Sequence, residues 1–265
     1  MKKILVPVDF SDASSNALSY AVALFGASNL EITALHIYGV KSSGALLMKN
    51  IDGVLEKDAK KKMQELLDGM QKEYSDVVFK VKLTKSDAIP TIAALGDSGE
   101  YDFIVMGTKG ASGLKEVFMG SVAGGVVSRT SAPVIVVPKG HSFRPLEKIV
   151  LAVSDNPFTD AKVLEPLRKI AAIHESKLKV LHIADEKTPQ IDKALSAIDD
   201  LNPSVDYAFG TGNINRDLND YLSKDFSGLV CMIRTKKGFM ERLLDESVTL
   251  KQTFNSAVPL LILHD

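Results

Sequence analysis

Short apolar runs bounded by breakers alternate along this chain with longer stretches in which apolar residues return at helical spacing. Residues 4–8, 32–37, 77–83, 103–106 and 134–137 are rich in β-branched side chains and almost continuously hydrophobic, the pattern of strands buried on both faces. Between the first two, Ser11 or Asp12 predicts the N-cap of a helix whose apolar positions Leu18, Ala21, Val22, Leu24 and Phe25 end at Gly26. Residues 57–74 predict a second helix, with Met63, Leu66, Leu67 and Met70 on one face and charges on the other. Asp87, with Pro90 in the first turn, opens a third that runs to Ser98; residues 122–130 form a fourth, closed by Pro133. Such alternation predicts a parallel sheet with helices on both faces. It also places ligands at the carboxyl ends of strands, where the strand order switches.

The pattern occurs twice. Lys3-Ile-Leu-Val-Pro-Val8 is echoed by Lys148-Ile-Val-Leu-Ala-Val153, and Ala34-Leu-His36-Ile37 by Val180-Leu-His182-Ile183. Farther on, Phe103-Ile-Val-Met106 matches Leu229-Val-Cys-Met232, and the run from Ala132 to Pro138 matches that from Val258 to His264. The second copy is shorter by about twenty residues between its second and fourth strands, as a duplicated unit that has lost a segment would be. Its predicted strands are residues 148–153, 178–183, 205–209, 229–233 and 259–263, and Pro166 argues for a kink or a late start in its first helix. The breaker-rich stretch from Pro138 to Pro145 separates the copies, giving two domains, residues 1–140 and 146–265. The last strand of each copy, 134–137 and 260–263, has an apolar edge to cover, and pairing the two would make the chain an internal pseudo-dimer.

Composition narrows the partners. The 32 Lys plus Arg against 33 Asp plus Glu leave no general field that would draw in nucleic acid or an anionic membrane. Cys231 is the only cysteine and reads as a small apolar strand residue. No apolar run is long enough to span a bilayer and the N-terminus lacks a signal-peptide pattern, so a cytoplasmic protein is expected.

Chemistry concentrates after the fourth strand, in Met106-Gly107-Thr108-Lys109-Gly110, nine residues ending at Met119, and Gly120-Ser121-Val122. Glycines at a strand exit and a Gly-Ser pair at a helix start suit a backbone that closes its N–H groups around phosphates, with φ > 0 within reach. A Walker loop would need G-x4-G-K followed by Ser or Thr, and a dinucleotide fingerprint would need its glycines after the first strand, where Pro7-Val8-Asp9-Phe10 stands. Neither is present. The spacing found, G-x2-G-x9-G-S, resembles the nucleotide motif of the universal stress protein family.

That resemblance extends to Lys3-Ile-Leu-Val-Pro-Val-Asp9-Phe-Ser11, to Leu35-His36-Ile37 and to Ala132-Pro-Val-Ile-Val-Val-Pro138. It implies two tandem doubly wound, Rossmann-like domains of the adenine nucleotide alpha hydrolase-like kind, each with a parallel five-stranded sheet. In ATP-binding members the matching positions imply that Pro7, Val8 and Asp9 border the nucleoside and that the backbone at Ile37 meets the adenine edge. Met106, Gly107, Lys109 and Gly110 would form the first phosphate turn, and Gly120, Ser121 and Val122 would supply donors at the helix start. ATP is the implied ligand, with AMP or ADP as alternatives; magnesium can accompany ATP, and the motif names no residues that would hold a metal.

In the second copy Gly107 becomes Ile233, Gly110 becomes Lys236 and Gly120 becomes Glu246, while Ser121 is kept as Ser247. Ser154 stands at the position of Asp9 with Asp155 beside it, and Gly238 is two positions out of register. A branched Ile233 resists φ > 0, and a glutamate at a helix start puts negative charge where a phosphate would sit. The second copy is therefore expected to be a structural or regulatory partner. Three functions fit: a stress-response sensor that holds ATP without dedicated catalysis, a slow ATPase or nucleotidyl transferase with Asp9 as its acid, and a nucleotide-free scaffold. Further homo-oligomerisation is compatible with each.

Overall fold

A computed structural model describes residues 1–39, 48–108, 120–153, 160–184, 191–209, 218, 221, 228–235 and 258–265. The first half runs β1 (Lys2–Pro7), α1 (Asp12–Phe25), β2 (Leu30–Tyr38), α2 (Met48–Glu73), β3 (Val78–Lys85), α3 (Ala88–Gly96), β4 (Phe103–Gly107), α4 (Ser121–Val127) and β5 (Val134–Val137). The second half runs β6 (Lys148–Val153), a 3-10 turn (Ala161–Leu164), α5 (Glu165–His174), β7 (Lys177–Ala184), α6 (Ile191–Ala197), β8 (Ser204–Phe209), β9 (Leu229–Arg234) and β10 (Leu260–His264).

Local signals account for most boundaries. The Ser11 hydroxyl accepts from the Ser14 N–H at the start of α1, and Gly26, at φ 71°, ends the helix by donating its N–H to the Val22 carbonyl. Only a residue without a Cβ takes that left-handed stop at no steric cost. Pro166 marks the late start: α5 begins at Glu165, with proline in the first turn, where its missing N–H has no intrahelical acceptor to lose. Two boundaries differ from the periodicity. α2 begins at Met48 rather than Lys57, because the helix passes through Gly53, which breaks the apolar pattern but not the hydrogen-bond ladder. α4 starts at Ser121 and ends at Val127, three residues before Thr130.

The strands form one ten-stranded sheet in the order β3-β2-β1-β4-β5-β10-β9-β6-β7-β8. The two halves have the same internal order and meet at β5 and β10, which pair antiparallel with Leu261 opposite Ile135; the pairs within each half are parallel. Each half leaves its switch in order beside its own first strand, β1 next to β4 and β6 next to β9. Successive strand residues feed opposite faces: Ile4 and Val6 join one core with Leu18, Met63 and Phe103, while Leu5 joins the other with Ile104, Val126 and Leu260. Both clusters cross the β5–β10 seam, so the halves share their apolar interior.

Polar contacts reinforce the seam. His174 of α5 donates from Nε2 to the Leu24 carbonyl of α1 at 2.7 Å, and Phe143 of the connecting stretch packs between Tyr20 and His174. His264, the last residue of β10, donates from Nε2 to the Val127 carbonyl at the end of α4, at 2.9 Å. A side chain of the second half thus caps the helix that starts at the glycine loop of the first. Cys231 lies wholly buried in β9, and burial pushes its thiol pKa up, away from reactivity.

Candidate functional site

The exits of β1, β2 and β4 lie side by side. Val8 donates its N–H to the Leu35 carbonyl at 2.8 Å, and its own carbonyl accepts from His36 Nδ1, also at 2.8 Å. His36 is thereby a tie between β1 and β2. Pro7 and Val8 precede an ordered turn in which Asp9 Oδ1 accepts from the Ser11 N–H at 3.1 Å and the Ser11 hydroxyl at 2.5 Å, while the Asp9 N–H donates to Ser14 Oγ at 3.3 Å. Phe10, between them, has φ 63°. For a bulky L-residue this left-handed conformation costs about 1–2 kcal/mol.

On β4, Met106 is buried and paired with Val136, and Gly107 with Val137. Thr108 continues the ladder by donating to the Val137 carbonyl at 3.0 Å, and its own carbonyl accepts from the Gly120 N–H at 2.5 Å. That bond closes the base of the glycine loop, holding the strand exit against the start of α4. Lys109 and Gly110 lie outside the described residues. Gly120 is the N-cap of α4, and the first bond inside the helix is donated by Gly124 to the Gly120 carbonyl at 2.9 Å. The N–H groups of Ser121, Val122 and Ala123 come before that bond and have no intrahelical acceptor.

The expected reason for the glycines is corrected at two positions. Gly120 has φ −52°, a region open to any residue. Gly107 is not among the positive-φ glycines of the described residues either. What demands glycine there is packing: a Cβ on Gly107 would lie 2.8 Å from the Ala13 carbonyl oxygen, in the first turn of α1. The strand exit and the helix approach so closely that only a hydrogen fits between them.

A cavity of about 430 Å³ opens beside these elements, within the range of small-molecule sites, about 300–1,000 Å³. Ile37 and Val122 line it. Sequence reasoning missed Gly39, Asp87, Ile89 and Arg129, which line it too. The sequence marks Asp87 only as a helix start and gives Ile89 no role. Their position directly after a strand, at the carboxyl edge of a parallel sheet, was the available signal. Among the described residues, no group of three His, Cys, Asp or Glu could hold a metal ion, and no helix is long and apolar enough to cross a membrane.

The corresponding place in the second half is built differently. Ile233 occupies the position of Gly107 and is buried in the core. Among the described residues after Val153, a 3-10 turn at Ala161–Leu164 leads into α5 at Glu165, whereas α1 begins five residues after Pro7. Among the described residues nothing hydrogen-bonds the buried Nε of Arg234 or the buried Nδ1 of His264. Burial, aided by the charge of Arg234, holds the His264 imidazole below its usual pKa although its bond to Val127 opposes the shift. Ser154, Asp155, Lys236, Gly238, Glu246 and Ser247 lie outside the described residues.

This is a doubly wound α/β scaffold with a glycine-closed strand exit in its first half. Residues 1–138 match the sequence profile of the Universal stress protein family, and the chain belongs to that family. Universal stress protein MJ0577 of Methanocaldococcus jannaschii is 30% identical over 161 residues, covering 53% of this chain and 97% of that protein. Universal stress protein YxiE of Bacillus subtilis is 26% identical over 147 residues, covering 51% and 97%. The crystal structure of a universal stress protein from Archaeoglobus fulgidus superposes with a TM-score of 0.73 at 18% identity over 99% of this chain and 98% of that one. The shared fold therefore includes both halves.

Proposed function

We propose that the chain is a stress-response sensor that binds one adenine nucleotide, ATP in the first instance, in a first domain of residues 1–140. The second domain, residues 146–265, serves as its structural and regulatory partner. The observation that carries this reading is the closed loop: the Gly120 N–H bonded to the Thr108 carbonyl brings Gly107, Ser121 and Val122 together beside the Ile37 cavity. Phosphates would meet the amides of Ser121 and Val122, with Lys109 and Gly110 on the other arm of the loop. The base would enter against Ile37, and Asp9 would face the sugar from the exit of β1. The loop's sequence offers few oxygen side chains, Thr108, Ser112, Glu116 and Ser121, so magnesium would be held mainly by the phosphates and water. The same scarcity favours binding over turnover, since phosphoryl transfer needs a positioned base and metal carboxylates.

The test is to denature freshly purified protein and identify the released small molecules by mass spectrometry, beside a Gly120→Glu variant that copies Glu246 of the second half. An adenine nucleotide released from the parent and absent from the variant supports the reading. Nucleotide retained in Gly120→Glu, or a parent that neither carries nor takes up adenine nucleotide, contradicts it.

A further inference from the structure

A purine is a flat ring with two apolar faces and a polar edge, and proteins hold such a face against an aromatic side chain or the plane of a guanidinium. The cavity beside Ile37 has the first kind of group nowhere among its described lining residues: Ile37, Ile89, Pro90 and Val122 give it aliphatic walls. Arg129 lines the same cavity and supplies the second kind. Its place in the chain leads it there. Arg129 follows Ser128, the C-cap of α4, and keeps to the helical path by donating its N–H to the Val126 carbonyl at 2.9 Å. Two helical turns separate it from Val122, so the two share a face of the helix. Helical side chains lean toward the helix N-terminus, which carries this one along α4 toward the glycine loop.

The side chain is also uncommitted. Arg168 of the second half is held by the Asp200 carboxylate and the Ala197 carbonyl, a structural use of an arginine. Arg129 is exposed, and among the described residues no ion pair or side-chain hydrogen bond holds it. A guanidinium left free at the mouth of a cavity can be laid on what enters without first breaking a bond to the protein.

We infer that Arg129 is the base-stacking residue of the site, its guanidinium lying against the face of the adenine ring so that the base is held between it and the aliphatic wall. This inference rests on the adenine-nucleotide reading above. Stacking gives affinity through the base and not through the phosphates, so the contribution is the same whatever the length of the phosphate chain. It also demands a plane, and lysine, a point charge on a flexible stem, does not replace one. A mere counter-charge to the phosphates would act the opposite way on both counts. A cation that only complements the carboxyl end of α4 would affect stability and leave binding alone.

The experiment is calorimetric titration of the nucleotide-free full chain with ATP and with ADP, for the parent, Arg129→Ala and Arg129→Lys, with a thermal melt of each. Arg129 is exposed, so neither variant empties the core. Arg129→Ala is expected to weaken both nucleotides by one common factor of about five, and Arg129→Lys to weaken them nearly as much. Unchanged affinity in Arg129→Ala overturns the inference. So does parent affinity in Arg129→Lys, or a loss that is larger for ATP than for ADP; each of these results leaves the nucleotide reading standing. A parent that binds neither nucleotide overturns both.

Discussion

The two halves of this chain share a strand order and diverge at one strand exit. In the first, β4 ends in Gly107, α1 begins at Asp12, and the Ala13 carbonyl presses to within 2.8 Å of where a Cβ would be. In the second, β9 carries Ile233 into the core at the equivalent position. The comparison teaches that in the first half it is helix packing that demands the glycine. In the second half a large buried side chain stands at the same strand position.

Exchanging the two residues is the harshest way to test that contrast. Ile233→Gly empties a buried site and is expected to cost about 4 kcal/mol. Gly107→Ile drives a branched side chain into the backbone of α1 and is expected to cost about 3 kcal/mol. Urea denaturation of each variant measures both. A Gly107→Ile protein as stable as the parent would dissolve the packing account.

The seam gives a smaller effect. His264→Ala removes the second half's bond to the Val127 carbonyl, and a loss of about 1–2 kcal/mol is expected. Amide exchange should quicken at the end of α4 in that variant. Unchanged exchange there would mean that the His264 bond does not hold the end of α4.

Asp97 supplies the smallest and most conditional contrast. Burial pushes its carboxyl pKa up, but hydrogen bonds from Ser131, Thr130 and the Ala132 amide outweigh that and hold it below the usual range. A carboxyl lowered in the folded state adds stability above its unfolded pKa, about 3.9, and loses it as pH falls through the folded value. The parent should therefore lose stability more steeply than Asp97→Asn below about pH 4, with a difference that is small because Asp97 is exposed and insensitive to salt because its partners are neutral. Asp206 of the second half is also held low, chiefly by its hydrogen bond with Lys179 at 2.6 Å. Its counterpart effect should shrink in salt. Acid titrations at low and high ionic strength separate the two.

Local chemistry was the legible part of the fold. Ser11 and Gly26 announce the ends of α1, Pro166 announces the delay of α5, and the β-branched runs announce the strands. Each works through its own dihedrals or its nearest neighbours. The α/β class and the equivalence of the halves follow from the same signals read in order. Gly107 was recognised, but for φ > 0, because nothing in the local sequence says that Ala13 will lie across it. The cavity residues Asp87 and Arg129 are brought to Ile37 by the packing of α3 and α4, and the ring of Phe10 meets that of His36 only in the fold. Such contacts join residues far apart in the chain, and single-residue propensities carry no trace of them.

Stoichiometry tests the central claim most directly. Titration of the nucleotide-free full chain with ATP, read by isothermal calorimetry, should give one site per chain and no binding in Gly120→Glu. Two sites per chain, or one site that survives in Gly120→Glu, would contradict an asymmetric tandem whose first half alone holds the nucleotide.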